Sequence, residues 1–158
     1  MIVTDKLKIF SSNSRGGITF AFVVVFYILH QLILQPNWVA GGEMWAEMAT
    51  NYYLNAESPS LFIKLFSTDA GYIPFVPRII ALIGNQINLP VAQVPFFYTF
   101  SAVILSGMMV GCFCLSIFRK LILSDSLRVA IAVSVLMVAD FETRTFVNFT
   151  YFSAFLLQ

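Results

Sequence analysis

Hydrophobic positions fall into four runs along this chain, and the widest gap between them is a polar-studded segment of residues 36–93. Residues 17–34 are apolar except for Thr19, His30 and Gln31. A helix rising about 1.5 Å per residue crosses about 30 Å of hydrocarbon in about 20 residues, so this run predicts a first membrane helix over about 17–35. The second, about 94–118, opens with Pro95 in its first turn, where a missing N–H leaves no bond unmade, and closes at Arg119-Lys120. Its Ser106, Gly107 and Gly111 predict a face of small residues that another helix can approach closely. A third run, about 126–139, is short for a crossing unless Arg128 extends outward to the headgroups. The fourth, 146–158, is too short to cross alone and is expected to begin a further helix, which makes residues 1–158 a single membrane domain read as part of a longer one.

Connections are usually about 4–6 residues long, so a segment as long as 36–93 is expected to hold structure and function of its own. Its first part, Glu43-Met44-Trp45-Ala46-Glu47 and onward to about Asn55, predicts a helix with Glu43, Glu47, Thr50 and Asn51 on one side. Met44, Trp45, Met48 and Tyr52 crowd the other, the pattern of an amphipathic helix lying in a membrane interface. Two acids near a helix start also complement its dipole, whatever else they do. A break at Glu57-Ser58-Pro59-Ser60 precedes an apolar patch over 61–66 and then Asp69-Ala70-Gly71-Tyr72. Asp before Gly predicts a turn, with Asp69 as an Asx-turn or capping residue on the plainest reading. A second amphipathic helix follows over about 76–87, with Arg78 near its start. The predicted fold is an all-α polytopic membrane protein whose long external loop contains two interfacial amphipathic helices.

Composition strengthens that picture. Hydrophobic residues make up 59% of the chain and charged ones 11%, against about 25% charged in soluble domains. Mean hydropathy is +0.84. The net charge of +1 is spread without a basic block, which excludes nucleic-acid binding. Lys6, Lys8 and Arg15 precede the first span, and Arg119, Lys120 and Arg128 gather between the second and third. The positive-inside rule then places the N-terminus in the cytoplasm and residues 36–93 outside, together with Asp140-Phe141-Glu142-Thr143-Arg144. Cys112 and Cys114 lie two apart on a helix and point to different sides, so no disulfide between them is expected. His30 has no second His or Cys beside it and reads as a packing residue rather than a metal ligand. The sequon at Asn148-Phe149-Thr150 falls in an apolar run and is read as chance.

Carboxylates held at a membrane surface beside aromatic rings suit transfer of a group from a lipid phosphate to an acceptor hydroxyl, with the acid removing the acceptor proton. The candidate acids are Glu43, Glu47 and Asp69. Arg78, Arg144 and Lys64 are the cations on that face that could balance a leaving phosphate, in place of or alongside a divalent metal. Trp45 and Tyr72 would wall a groove for a polyprenyl tail. Asp140 and Glu142 offer a second acidic group; their plainer reading is a helix-end turn paired with Arg144.

At these residues the chain resembles the membrane-embedded C-type glycosyltransferases, which use polyprenyl-phosphate sugars. In that superfamily a carboxylate shortly after the first span, often in an Asp-Glu pair followed by Tyr and Ala in a helix, is the catalytic acid. Gly42-Glu43-Met44-Trp45-Ala46-Glu47-Met48-Ala49 is similar, with Glu43 in the pair's second position and Gly42 where its first acid would stand. The segments from Asp69 to Pro74 and from Asp140 to Phe146 look like those of bacterial integral-membrane glucosyltransferase-like proteins. The resemblance implies a multi-pass protein of the bacterial inner membrane. It further implies a lipid-linked sugar donor, a glycan or lipid acceptor of the cell envelope, no firmly implied cofactor, and Glu43 as the leading base. The alternative is a non-enzymatic membrane subunit of an envelope assembly or export complex, whose acidic loop docks a partner.

Overall fold

The computed structural model describes residues 2–41, 44–69 and 71–153, with side chains from Arg15 onward. Among the described residues the regular elements are all helical and no strand occurs. Three helices form the long body: α1 (Ile2–Leu34), α6 (Val94–Gly111) and α7 (Asp125–Val138). Two stretches, Arg15–Leu34 and Val91–Lys120, are long and apolar enough to cross a membrane. At 14 residues α7 is shorter than a crossing requires.

The body is held by close approach. Gly107 and Gly111 of α6 face α1: a Cβ added at Gly111 would lie 3.3 Å from the Phe20 ring, and one at Gly107 3.5 Å from Val24 Cα. The two helices run antiparallel, since the Thr19 hydroxyl near the start of the apolar part of α1 donates to the Cys114 carbonyl just beyond the end of α6, at 3.3 Å. Val23, Tyr27, Val103, Val110, Ala132 and Leu136 are buried where α1, α6 and α7 meet. The opposite side of α1 bares Ile18, Phe22, Val25, Leu29 and Ile33. Such a stripe would be costly in water and is the surface lipid would cover. Gln31 is the polar residue that α1 turns inward, wholly buried, while His30 lies half-buried beside Phe26. Cys112 and Cys114 are both free thiols.

At the α6–α7 junction the expected helix to residue 118 is interrupted. A 3₁₀ turn (Cys112–Cys114) leads to an extended Leu115 (ψ 154°) and a second 3₁₀ stretch (Ser116–Lys120). The break frees carbonyls, and Arg128 satisfies them: its guanidinium donates to Ile122 O at 2.7 Å and to Cys114 O at 3.4 Å, and it also binds Asp125. Arg119 holds the other side of Asp125 through two bonds of 3.0 and 2.6 Å. The outward reach expected of Arg128 is therefore not what occurs. The side chain is fully buried, because the orphan carbonyls of a broken helix and a neighbouring carboxylate offer a cation more than the surface does.

The other end of the body is covered by the long segment, which contains more helix than expected. It comprises α2 (Pro36–Ala40), a 3₁₀ turn (Ala46–Met48) running into a π-helical stretch (Ala49–Leu54) and α3 (Asn55–Glu57), then α4 (Leu61–Phe66) and α5 (Phe75–Gln86). The predicted helix at 76–87 is α5, displaced by one residue. The one predicted from 43 begins instead at Ala46, whose φ of +47° separates it from the extended Trp45. Met48, Tyr52, Ile80, Ala81, Tyr98, Phe146 and Phe149 make a second core. The Phe146 ring stacks on Tyr98 at 4.4 Å and meets Tyr52 edge-on at 5.3 Å. Phe141 receives the edges of Trp38 and Trp45 at 5.5 and 5.2 Å. Residues 36–93 and the segment after α7 thus pack at one end of the molecule.

Candidate functional site

Asp69 is the best-anchored acid among the candidates. Asp69 and Tyr72 exchange both backbone hydrogen bonds (2.8 and 3.0 Å), which closes a tight turn with Gly71 at φ +87°, a conformation glycine adopts without strain. The turn is as expected, but the Asp69 side chain neither caps a helix nor bonds its own loop. It reaches back to the π-helical stretch, where the Tyr52 hydroxyl donates to Oδ2 at 2.9 Å and the Asn51 amide to Oδ1 at 3.0 Å. In a regular amphipathic helix Asn51 and Tyr52 would belong to different sides, polar and apolar. The wider i→i+5 winding lets both meet one carboxylate. Burial first, and then the bond to Asp69, push the Tyr52 phenol far above its ordinary range, so it remains a donor.

Arg78 completes this cluster from α5. It is buried, with its guanidinium carbon 5.5 Å from the Tyr52 ring centre and one NH donating to the Asn51 carbonyl at 2.9 Å. Its Nε and second NH₂ are buried without a partner among the described residues. Burial lowers its pKa, while Tyr52 and Asp69 act in the opposite direction.

Tyr72 links the turn to the far segment. Its phenol is pushed up to about 12 by burial first, and then by a hydrogen bond to Tyr151 and the nearby charges of Asp69 and Glu47. Glu47 is exposed beside it, and Trp45 stands exposed against Phe141. Tyr151 also lines an open apolar groove of about 520 Å³, whose walls include Val135, Val138, Ala139, Thr143 and Phe152. Rings, acids and groove therefore follow one another: Asp69, Tyr72, Tyr151, then aliphatic walls.

The remaining candidates are placed differently. Asp140 caps α8 (Phe141–Arg144), its carboxylate accepting from the Thr143 amide at 2.8 Å, and hydrogen bonding from the Thr143 side chain first, then from its amide, holds its pKa below the usual carboxylate value. Glu142 is exposed on the same turn. Arg144 donates to the Met137 carbonyl at 2.9 Å, so the pairing that holds this turn is helix capping rather than an Asp140–Arg144 ion pair. Lys64 is half-buried on α4. Glu43, the leading base of the sequence reading, lies outside the described residues, as does Gly42.

Among the described residues no group of three or more His, Cys, Asp or Glu side chains converges to hold a metal. Both Asp69 oxygens accept from protein donors. Sequence reasoning missed Asn51 and Tyr52 as the partners of Asp69, and Tyr151 as a link to the groove. No local pattern marks those pairings. No protein-family model matches this chain, and comparison with curated proteins and with solved structures found no match.

Proposed function

We propose that this protein is a polytopic membrane glycosyltransferase that moves a sugar from a polyprenyl-phosphate donor to an envelope glycan or lipid acceptor. In this reading α1 and α6 cross the bilayer with α7 packed against them, and the end bearing residues 36–93 faces outward. The observation that carries the reading is the run from the Asp69 carboxylate through Tyr72 and Tyr151 into the open apolar groove beside α7. A polyprenyl chain needs such a groove, and its phosphate sugar needs an acid and hydroxyl donors at the groove's end.

The chemistry is a displacement at the anomeric carbon. The acceptor oxygen forms the new bond to that carbon, the bond to the phosphate oxygen breaks with its electron pair leaving on the phosphate, and a carboxylate takes the acceptor's proton. Asp69 takes the proton, with Asn51 and Tyr52 fixing its orientation, while Glu47 is another acid of this end. Arg144, next to Thr143 of the groove wall, supplies positive charge to the leaving phosphate. Arg78 orients the cluster from behind through Asn51 and Tyr52. The test is transfer from a radiolabelled polyprenyl-phosphate sugar by the intact membrane protein carrying Asp69→Asn, Glu47→Gln or Glu43→Gln. Full activity in all three would end the proposal.

A further inference from the structure

A second pocket, in the end bearing residues 36–93, is built from groups that none of the chemistry above uses. It encloses about 220 Å³ between α3, the end of α5 and the start of α6, lined by Tyr53, Glu57, Asn85, Asn88 and Tyr98 among others. This is below the range of about 300–1,000 Å³ typical of drug-sized ligands, which suits one small ring rather than a chain. Its chemistry is one carboxylate, two carboxamides and two phenols, with no cation in the lining. Tyr53 and Glu57 line the pocket together, and Glu57 holds the Tyr53 phenol above its ordinary pKa, first by hydrogen bonding. The Asn85 and Asn88 amides, and the hydroxyl of the buried Tyr98, make no hydrogen bond to any described residue, so their donors and acceptors are left for a guest. Tyr98 is backed by the Phe146 ring at 4.4 Å, and a Cβ at Gly84 would meet the Phe97 ring at 3.2 Å, so floor and side wall are rigid.

We propose that this pocket seats an uncharged pyranose ring, a sugar unit of the acceptor other than the one that reacts. Each hydroxyl of such a ring both donates and accepts, and carboxylates and carboxamides bind adjacent hydroxyls in pairs. An anionic ligand is disfavoured by Glu57 and by the absence of a cation. The acceptor role rests on the glycosyl-transfer reading; the binding of the sugar does not.

The experiment is saturation-transfer NMR on the detergent-solubilised protein with methyl β-D-glucopyranoside and methyl α-D-mannopyranoside as probes, in the parent and in Glu57→Gln, Asn85→Leu and Asp69→Asn. Losing one hydrogen bond to the charged Glu57 weakens binding by about tenfold or more and one to the neutral Asn85 by several-fold, so Glu57→Gln is expected to remove the signal and Asn85→Leu to weaken it, while Asp69→Asn keeps it. Thermal unfolding of each variant identifies any that lose the signal through misfolding, and Tyr53→Phe, which removes only the hydroxyl holding Glu57, then serves in their place with a fall of several-fold. The inference is overturned if neither glycoside binds, if binding persists unchanged in the pocket variants, or if ethanolamine displaces the glycoside at lower concentration and so marks an ammonium site. Sugar binding that depends on Glu57, in a protein whose acid variants all transfer normally, would uphold the sugar site and remove the catalytic reading instead.

Discussion

Two arginines, Arg78 and Arg128, lie buried at opposite ends of this molecule, and they differ in how completely their guanidinium groups are bonded. Arg128 uses both terminal NH₂ groups on Ile122 O, Cys114 O and Asp125, and Asp125 is held in turn by Arg119. Arg78 makes one hydrogen bond to a carbonyl and lies over a ring, with Nε and one NH₂ unpartnered. A buried cation with both terminal nitrogens bonded is a clasp: Arg128 leaves only Nε unpartnered among the described residues and closes the helix break at Leu115. An undersatisfied one, next to a carboxylate already oriented by two donors, keeps unspent electrostatic capacity where the proposed chemistry lies.

The comparison can be broken most directly at Arg128. Arg128→Met leaves the Ile122 carbonyl without its donor and removes one bond each from Cys114 O and Asp125, and is expected to lower stability by about 3 kcal/mol, read as a fall in the unfolding midpoint in detergent. Arg78→Met exchanges a poorly bonded buried charge for an apolar chain of similar length, so its stability should change by less than about 1 kcal/mol. An equal loss in the two variants would abolish the distinction drawn here.

Next in size is Asp69→Asn, which keeps the oxygen that accepts from a donor but removes the base. Transfer is expected to fall by about 100-fold with the unfolding midpoint nearly unchanged. A variant equally inactive and unfolded would make Asp69 structural, like Asp125. Tyr52→Phe sharpens the same point, because it removes one donor to Asp69 while leaving the ring under Arg78. A loss of about 1 kcal/mol in stability is expected, with activity reduced less than in Asp69→Asn.

The smallest effect is in pH. The bonds from Arg119, then its charge and that of Arg128, hold Asp125 below its ordinary value of 3.8. A depressed folded pKa means that the stabilisation is fully present above the unfolded pKa and is lost as pH falls through the folded one. Unfolding midpoints should therefore be flat above about pH 5 and decline below about pH 4. Asp125→Asn should flatten that decline, and an unchanged acid limb would show that Asp125 is not tied to its arginines in solution.

Much of the fold is legible along the chain. The apolar runs at 17–34 and 94–118 mark the two membrane-length stretches, the small residues Gly107 and Gly111 mark where α1 approaches α6, and α5 begins within a residue of its expected start. These features are local: hydropathy, side-chain volume and proline position act through near neighbours. The candidate site was legible only as a set of residue types. Asp69 could be named as a turn acid, and Tyr72 and Trp45 as ring neighbours, but Asp140 resolved to a helix cap and Arg78 to a buried support. The polar pocket at Glu57 drew no notice, because Asn85 and Asn88 look like ordinary end-of-helix residues until Tyr53 and Tyr98 are brought beside them.

What the chain by itself determined is its helical class, its two membrane-length apolar stretches and the acidic, aromatic character of one end, since each follows from which residues stand next to one another. What only the tertiary structure decided is who holds whom: Tyr52 on Asp69 across 17 positions, Arg78 on Asn51 across 27, and Arg128 turned inward rather than out. Those choices depend on which donors and acceptors remain unsatisfied once the helices have formed and broken. A helix break at Leu115 and a π-wound stretch at Ala49–Leu54 created the vacancies, and buried charge moved to fill them.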